Sequence, residues 1–189
     1  MTSHALPRVE TLDACHLAPE DALQCALLLH AVWPADAAPG AAPAPLADLP
    51  AFGGLPSQHP ERHIARTADG AIGAHALTFA RNISVGGARE TIMALAGVAV
   101  RSDLRGRGWG RLVAEAAFAR VKSGAFAWSL FQTKKPGFYA KLGCREIGNL
   151  VVNSLAANPR DSAFWDDYAI VYPAAASPEG VIDLLGPGY

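Results

Sequence analysis

The sequence predicts an α/β (α+β) fold of one domain, residues 1–189, in which a mixed central sheet of about six or seven strands is flanked by about four helices. Strand-like segments follow one another around the turn dipeptides Asp69-Gly70 and Gly86-Gly87, which are typical of hairpins. An apolar strand pattern that ends near Val100 then runs through a glycine-rich turn into a helical pattern. Several successive strands followed by a glycine-rich turn and a helix are the order of elements expected of a mixed central sheet.

The first half of the chain supplies a helix and most of the strands. The helix is predicted to begin at Pro19, which suits a first helical turn, and to end near Trp33. The hairpin turns and the alternation of apolar residues place the strands at residues 8–14, 62–67, 71–81 and 90–100.

The second half is predicted to contain two helices and three strands. A helix after Gly110 places apolar residues on one stripe: Leu112, Val113, Ala116, Ala117 and Val121. The apolar run 125–131 predicts a buried strand, and residues 136–142 predict a short helix that Gly143 ends as a C-terminal cap. The last strands are predicted at 146–152 and 168–172.

Two segments have no clear periodicity. Residues 34–60 are rich in proline and alanine, and a loop of this length is either a mobile surface segment or functional. The tail, residues 174–189, has no pattern that assigns it to a helix or a strand.

Composition excludes several classes of protein. The net charge of −1 argues against a broad nucleic-acid surface. The three cysteines are widely spaced among apolar residues, which argues against a disulfide framework or a zinc site and favours the cytoplasm. The sequence shows no signal-peptide pattern and no apolar run long enough to cross a bilayer, so we expect no membrane partner.

Basic residues cluster in the glycine-rich turn. Glycines let the backbone approach a ligand, and a helix N-terminus adds unpaired N–H donors and partial positive charge. Arginines interleaved with these glycines can bind phosphate oxygens in pairs. The turn therefore predicts a pyrophosphate site, and its alternative is a solvated turn without a ligand. Its residues are Arg105, Gly106, Arg107, Gly108, Trp109, Gly110 and Arg111.

The spacing of this turn excludes the P-loop and the GxGxxG dinucleotide fingerprint. It matches R-x-x-G-x-G on Arg105, Gly108 and Gly110, and residues 138–144, FYAKLGC, match F-Y-x-K-L-G-[FY] except at Cys144. In these two segments the chain resembles the GNAT (Gcn5-related) N-acetyltransferases. The region 90–110 and the tail also bear a loose likeness to aminoglycoside 2'-N-acetyltransferases and nodulation N-acyltransferases.

The resemblance implies an enzyme that transfers an acetyl group from acetyl-CoA to a primary amine of a small molecule. It implies a splayed pair of parallel strands, in which the backbone of Val98, Ala99 and Val100 binds the pantetheine arm and the thioester oxygen. Tyr139 is then the general acid, because a phenol stays protonated at neutral pH. Gln132 stands at the inferred place of a cofactor-binding asparagine, and the alternative is that Lys134 and Lys135 reach the phosphates of the cofactor. The resemblance also implies a homodimer, because many members of the family form dimers, and no residue of this sequence specifies the interface.

Two departures from the family pattern bear on the mechanism. Ala96 stands where many members carry a glutamate base, which leaves His75, Glu90, Asp166, Asp167 or a water chain as candidates. The rival hypothesis is therefore a GNAT-like module that binds acyl-CoA without turnover. The loose likeness in the tail suggests that residues 181–189 fold over the acceptor, with Asp183 or the terminal carboxylate facing a cationic amine. Trp33, Phe52 and Leu55 are candidates for the acceptor pocket.

Overall fold

The computed structural model describes residues 6–33, 55–161 and 163–189. Helices in these residues are α1 (Pro19–Val32), α2 (Trp109–Lys122) and α3 (Pro136–Ala140). Strands are β1 (Val9–Asp13), β2 (Glu61–Arg66), β3 (Ile72–Val85), β4 (Ala88–Val100), β5 (Ser129–Thr133), β6 (Arg145–Ile147), β7 (Val151–Val152), β8 (Tyr168–Tyr172) and β9 (Ile182–Asp183). None of the helices in the described residues is long and apolar enough to cross a membrane.

The chain forms two compact units. The first unit comprises Met1–Phe79 and Ala96–Ala117, and the second comprises Ala80–Leu95 and Phe118–Tyr189. Strands β3 and β4 and helix α2 therefore contribute residues to both units. Hydrogen bonding orders the strands β1-β2-β3-β4-β5-β8-β6, and β9 pairs with β3 and β7. The predicted mixed sheet is confirmed, with additional short strands at β7 and β9.

The first unit contains the predicted hairpin. Strands β1, β2 and β3 are antiparallel, and Ile64 pairs with both Glu10 and His75. The turn between β2 and β3 closes where the N–H of Thr67 donates to the carbonyl of Ala71 at 2.8 Å. Gly70 adopts φ +87°, a conformation that glycine reaches without steric cost.

Helix α1 covers the core of this unit. Pro19 begins the helix, and the N–H of Trp33 ends it with a bond to the carbonyl of Leu29. The core that it covers consists of Cys25, Leu28, Ile64, Ile72 and Ala99. Leu23 and Leu27 are 56% and 48% exposed, so the apolar run of α1 is only partly core.

The second unit contains the parallel pair. Met93 of β4 pairs with Ser129 of β5, and Ala94 pairs with Leu130. Strand β8 is antiparallel to both β5 and β6. Phe118 stacks on Tyr172 with ring centroids 4.0 Å apart, so an aromatic pair forms part of this unit's core.

The buried face of α2 differs by a small rotation from the predicted stripe. Leu112 and Ala116 are half-buried. Phe118, absent from the prediction, is 1% exposed. The residues that α2 buries are Val113, Ala114, Ala117, Phe118 and Val121.

The predicted strand at 125–131 is wrong at its start, because β5 begins at Ser129. Gly124 adopts φ +83°, and the N–H of Ala125 donates to the carbonyl of Arg120 at 3.0 Å. The guanidinium of Arg120 lies 4.9 Å from the ring centroid of Phe126. The first residues of the apolar run therefore close helix α2 instead of extending the sheet.

The predicted strand at 146–152 is two short strands with different partners. Strand β6 pairs with β8, whereas β7 pairs in parallel with β9. Between them the side-chain amide of Asn149 donates to the carbonyls of Pro178 and Gly180, at 3.0 and 2.8 Å. This polar anchor explains the break in the strand pattern.

The tail is part of the folded core of the second unit. Ile182 and Leu184 are fully buried, and Arg81 donates to the carbonyl of Leu184 through Nε and a terminal nitrogen, at 3.1 and 2.8 Å. The same terminal nitrogen of Arg81 donates to the carbonyl of Pro187 at 3.1 Å. Backbone carbonyls bound to a side chain leave no periodic signal in the sequence, which is why the tail could not be assigned.

Candidate functional site

The glycine-rich turn joins β4 to α2 in the first unit. After a 3₁₀ turn at Ser102–Leu104, Gly106 and Gly108 adopt φ +74° and +86°. Helix α2 then begins at Trp109, and the N–H of Leu112 donates to the carbonyl of Gly108 at 3.1 Å. The N–H groups of the first helical turn lack intrahelical acceptors, so they can bind an anion.

The arginines in this turn and just before it fall into two groups. Arg101 makes two hydrogen bonds to the Asp103 carboxylate, at 2.7 and 2.9 Å, and Arg111 bonds Glu115 at 2.8 Å. Arg105 and Arg107 are exposed and form no ion-pair contact with a carboxylate among the described residues, although the charge of Arg107 contributes, after that of Arg101, to lowering the pKa of Asp103. Arg105 donates to the carbonyl of Val100 at 3.3 Å. Arg105 and Arg107 are therefore the side chains whose charge is available to a ligand.

Gly73 of β3 provides the surface on which the turn packs. A Cβ at this position would lie 2.5 Å from Leu104 Cδ1 and 2.6 Å from Trp109 Cζ3. The N–H of Arg101 also donates to the carbonyl of Gly73 at 2.9 Å. The indole of Trp109 therefore packs against Gly73, whereas the backbone N–H of Trp109 lies at the N-terminus of α2. A glycine inside a strand was the signal that could have identified this contact.

Gly97 interrupts the backbone pattern of β4. It adopts φ +57°, and its carbonyl accepts a hydrogen bond from Nδ1 of His75 at 2.7 Å. Ala99 is 1% exposed and belongs to the core under α1, while Val98 and Val100 are half-buried. Because these side chains are wholly or partly buried and apolar, the polar groups that residues 98–100 can offer to a ligand are those of the backbone.

His75 is unsuited to the role of general base. Its ring is fully buried, and its Nε2 lies 2.7 Å from a terminal nitrogen of Arg62. Burial and the charge of Arg62 lower the pKa of His75 to about 3. Both ring nitrogens are bonded within the protein, which removes His75 from the candidate bases.

Tyr139 lies in α3 of the second unit and is 6% exposed. Its ring contacts Phe131 and Phe138 in edge-on geometry, with centroids 4.7 and 4.8 Å away. Burial raises the pKa of Tyr139 above its ordinary value, so its hydroxyl is protonated at neutral pH.

Gly143 ends the turn that holds Tyr139. It adopts φ +82°, and its N–H donates to the carbonyl of Ala140 at 3.2 Å. The N–H of Cys144 reaches back to the carbonyl of Tyr139, also at 3.2 Å. This pair of bonds is a Schellman motif, and it confirms the predicted C-terminal cap.

Gln132 makes its hydrogen bonds within the protein. Its Oε1 accepts from the N–H groups of Trp165 and Asp166, at 2.7 and 2.8 Å, and its Nε2 donates to the carbonyl of Tyr189 at 2.7 Å. The structure thus assigns its amide to joining three segments of the second unit. A cofactor contact by Gln132 stays a prediction.

Three of the other predicted acidic residues, Glu90, Asp166 and Asp183, have partners within the second unit. Glu90 accepts from Nε1 of Trp128 at 2.8 Å, and Lys134 lies 3.7 Å from Asp166, while Asp167 is exposed. Asp183 accepts from the N–H groups of Ser154 and Leu185, both at 3.0 Å, which gives it a structural role. Trp33 and Leu55 are exposed, and Phe52 lies outside the described residues.

A cleft of about 300 Å³ lies elsewhere in the first unit, between the end of β1 and the start of β2. Asp13 and His16 line it and bond each other at 2.8 Å, and the hydrogen bond from His16 lowers the pKa of Asp13. Among the described residues no group of three or more His, Cys, Asp or Glu could hold a metal ion. The cleft shares no residue with the glycine-rich turn.

Comparison with known proteins identifies the fold. No protein-family model matches the sequence, and no curated protein matches it. Among solved structures, a GNAT family acetyltransferase from Brucella melitensis in complex with acetyl-CoA matches with a TM-score of 0.58 and 15% identity, over 93% of this chain and 95% of that one. Escherichia coli ElaA matches with a TM-score of 0.58 and 12% identity, over 87% and 98%.

A GCN5-related N-acetyltransferase from Kribbella flavida matches with a TM-score of 0.57 and 19% identity. The match covers 75% of this chain but 34% of the Kribbella chain, so it corresponds to about a third of that protein. At these identities the matches establish the architecture of the chain. The protein has the fold of the GNAT N-acetyltransferases.

Proposed function

We propose that the protein is an N-acetyltransferase that moves an acetyl group from acetyl-CoA to a primary amine of a small molecule. The observation that carries this proposal is the glycine-rich turn at the end of β4, which leads into the N-terminus of α2 in a chain with the GNAT fold. A GNAT acetyltransferase of similar fold is in complex with acetyl-CoA.

The turn is suited to the pyrophosphate of the donor. Gly106 and Gly108 have positive φ, and a Cβ at Gly106 would meet nothing within 4 Å. The backbone can therefore approach a ligand closely at this point. The N–H groups of Trp109, Gly110 and Arg111 bind the phosphate oxygens in this proposal, and Arg105 and Arg107 add full charges. Arg111 contributes its N–H alone, because its guanidinium is paired with Glu115.

Acetyl transfer forms one C–N bond and breaks one C–S bond. The acceptor amine loses a proton, and the departing thiolate gains one. Backbone N–H groups of residues 98–100 would stabilise the oxyanion that develops on the thioester oxygen, and removal of one such donor typically lowers kcat by about 10²–10³-fold.

Tyr139 is the proton donor to the thiolate in this proposal. What supports it is the match of Tyr139 to the F-Y-x-K-L-G segment, and burial keeps its hydroxyl in the protonated form at neutral pH. A phenol in its neutral form carries the proton that the departing thiolate needs. We assign no side chain as the base, since Ala96 of β4 has no titratable group and His75 is bonded on both nitrogens.

The experiment measures thiol release from acetyl-CoA with a panel of aminoglycosides, polyamines, amino acids and a lysine peptide. Tyr139→Phe should lower kcat by about 10²-fold for the acceptor that works. Tyr172→Phe is the matched control, because Tyr172 is a buried tyrosine of the same unit that stacks on Phe118. Equal activity of the two variants would remove Tyr139 from the mechanism. Saturable acetyl-CoA binding without thiol release would favour a binding module.

A further inference from the structure

We propose that His75 and Arg62 are positioning residues that fix the direction of the Val98 N–H in β4. The inference rests on the proposed function, which assigns the backbone of residues 98–100 to the thioester oxygen. It selects one of these groups, the N–H of Val98, and names the buried side chains that orient it.

The backbone at Gly97 departs from a regular strand. A strand residue has φ near −120°, whereas Gly97 has φ +57°, in the left-handed region. A Cβ on Gly97 would lie 3.4 Å from His75 Cε1 and 3.4 Å from Leu29 Cδ2. The peptide that follows Gly97 is therefore turned out of the alternating pattern of β4, and His75 and α1 pack against this point.

The carbonyl of Gly97 and the N–H of Val98 belong to the same peptide. In a planar trans peptide these two groups point in opposite directions. The Nδ1 of His75 holds the carbonyl oxygen of Gly97 at 2.7 Å. The same bond therefore fixes the direction of the Val98 N–H, on the side of the peptide away from His75.

Arg62 determines which nitrogen of His75 carries the proton. A guanidinium can only donate, so Nε2 of His75 must accept from Arg62 at 2.7 Å. Nδ1 then carries the hydrogen and donates to the carbonyl of Gly97. Both side chains are buried, with exposures of 0% for His75 and 6% for Arg62, so solvent does not compete for these bonds.

Burial of Arg62 and His75 costs free energy, because both side chains lose their contact with water. Arg62 has no carboxylate partner among the described residues, and its buried Nε has no hydrogen-bond partner there. Apolar side chains of similar volume usually stabilise a core at least as well as buried charges. A role in orienting the Gly97–Val98 peptide accounts for polar residues at this place, where Cys25, Leu28 and Ile64 form an apolar core.

The test uses the full chain with three variants. His75→Leu removes both bonds. His75→Asn keeps a donor, because the amide nitrogen of asparagine takes the place of Nδ1. His63→Leu is the matched control: His63 is 1% exposed on neighbouring strand β2 and bonds Thr11 and Thr78, at 3.1 and 3.0 Å.

Backbone amide NMR gives the first readout, which requires no activity. In His75→Leu we expect the Val98 amide resonance to shift, because His75 no longer holds the peptide that contains this N–H. In His75→Asn and His63→Leu it should stay near its wild-type position. An unchanged Val98 amide in a folded His75→Leu protein would overturn the proposal.

Kinetics give the second readout. His75→Leu should lower kcat by about 10²-fold while the KM for acetyl-CoA changes by less than about threefold, because the oriented donor acts on the transition state. His75→Asn should recover most of kcat. An equal loss of kcat in His63→Leu would overturn the proposal. A wild-type protein without transfer activity would refute the proposed function alone, and the NMR result would still decide whether His75 orients Val98.

Discussion

The indole of Trp109 lies directly against Gly73, at a distance that leaves no room for a Cβ. This contact joins the first residue of α2 to β3 and so anchors the end of the glycine-rich turn within the first unit. The shape of the proposed pyrophosphate site therefore depends on a strand residue that contributes no functional group.

Gly73→Ala should both destabilise the protein and weaken donor binding. The added methyl would meet Leu104 and Trp109, and overpacking of a core typically costs about 1–3 kcal/mol. Displacement of Trp109 moves the N–H groups at the start of α2. We expect a lower urea midpoint and a Kd for coenzyme A raised about tenfold by calorimetry. Gly148→Ala is the control, since a Cβ there meets nothing within 4 Å; equal effects of the two changes would contradict the account.

Arg107→Gln should raise the KM for acetyl-CoA by about tenfold or more, the usual effect of losing a charge-assisted hydrogen bond. Arg101→Gln is the matched control just before the turn, because the guanidinium of Arg101 is already bonded to Asp103. Its effect should be at most about threefold. A larger rise in KM for Arg101→Gln than for Arg107→Gln would contradict a role of Arg107 in donor binding.

Stability should depend on pH through His75. The pKa of His75 is about 3 in the folded protein, whereas the ordinary value of 6.5 applies to the unfolded chain. As the pH falls, the unfolded chain therefore binds a proton at His75 before the folded protein does. The stabilisation is complete above pH 6.5 and is lost toward pH 3, by at most about 1.4 kcal/mol per pH unit. Urea unfolding between pH 7.5 and 5 measures this slope, and His75→Asn should reduce it. A slope that the variant leaves unchanged would contradict a neutral buried His75.

Arg81→Met should loosen the tail. The substitution removes the bonds to the carbonyls of Leu184 and Pro187 and should cost about 1–3 kcal/mol. We expect faster hydrogen exchange at Leu184, whose N–H donates to Val152. Arg89→Gln, at an exposed position, should leave both stability and exchange unchanged. Unaltered exchange in Arg81→Met would show that packing of Ile182 and Leu184 alone holds the tail.

Local signals in the sequence predicted much of the fold. The dipeptides Asp69-Gly70 and Gly86-Gly87 located both hairpins, because their backbone preferences act over a few residues. Pro19 located the start of α1, and Gly143 the cap of α3. The glycines before α2 likewise predicted a turn, and Gly106 and Gly108 have positive φ, a conformation that glycine adopts readily.

Contacts between distant residues were not predictable in this way. The bonds that join Arg62, His75 and Gly97 depend on the register of three strands, which periodicity does not determine. His75 was for that reason a candidate base, and the structure shows it bonded on both sides. The tail gave no pattern because Arg81 holds its backbone carbonyls.

The central claim is that the chain transfers an acetyl group to an amine. The most direct measurement incubates the protein with acetyl-CoA and each amine of the panel and quantifies free thiol and acetylated amine together, the latter by mass spectrometry. We expect equal amounts of thiol and acetylated amine with at least one class of acceptor. Saturable binding of acetyl-CoA with no acetylated amine from any class would contradict it.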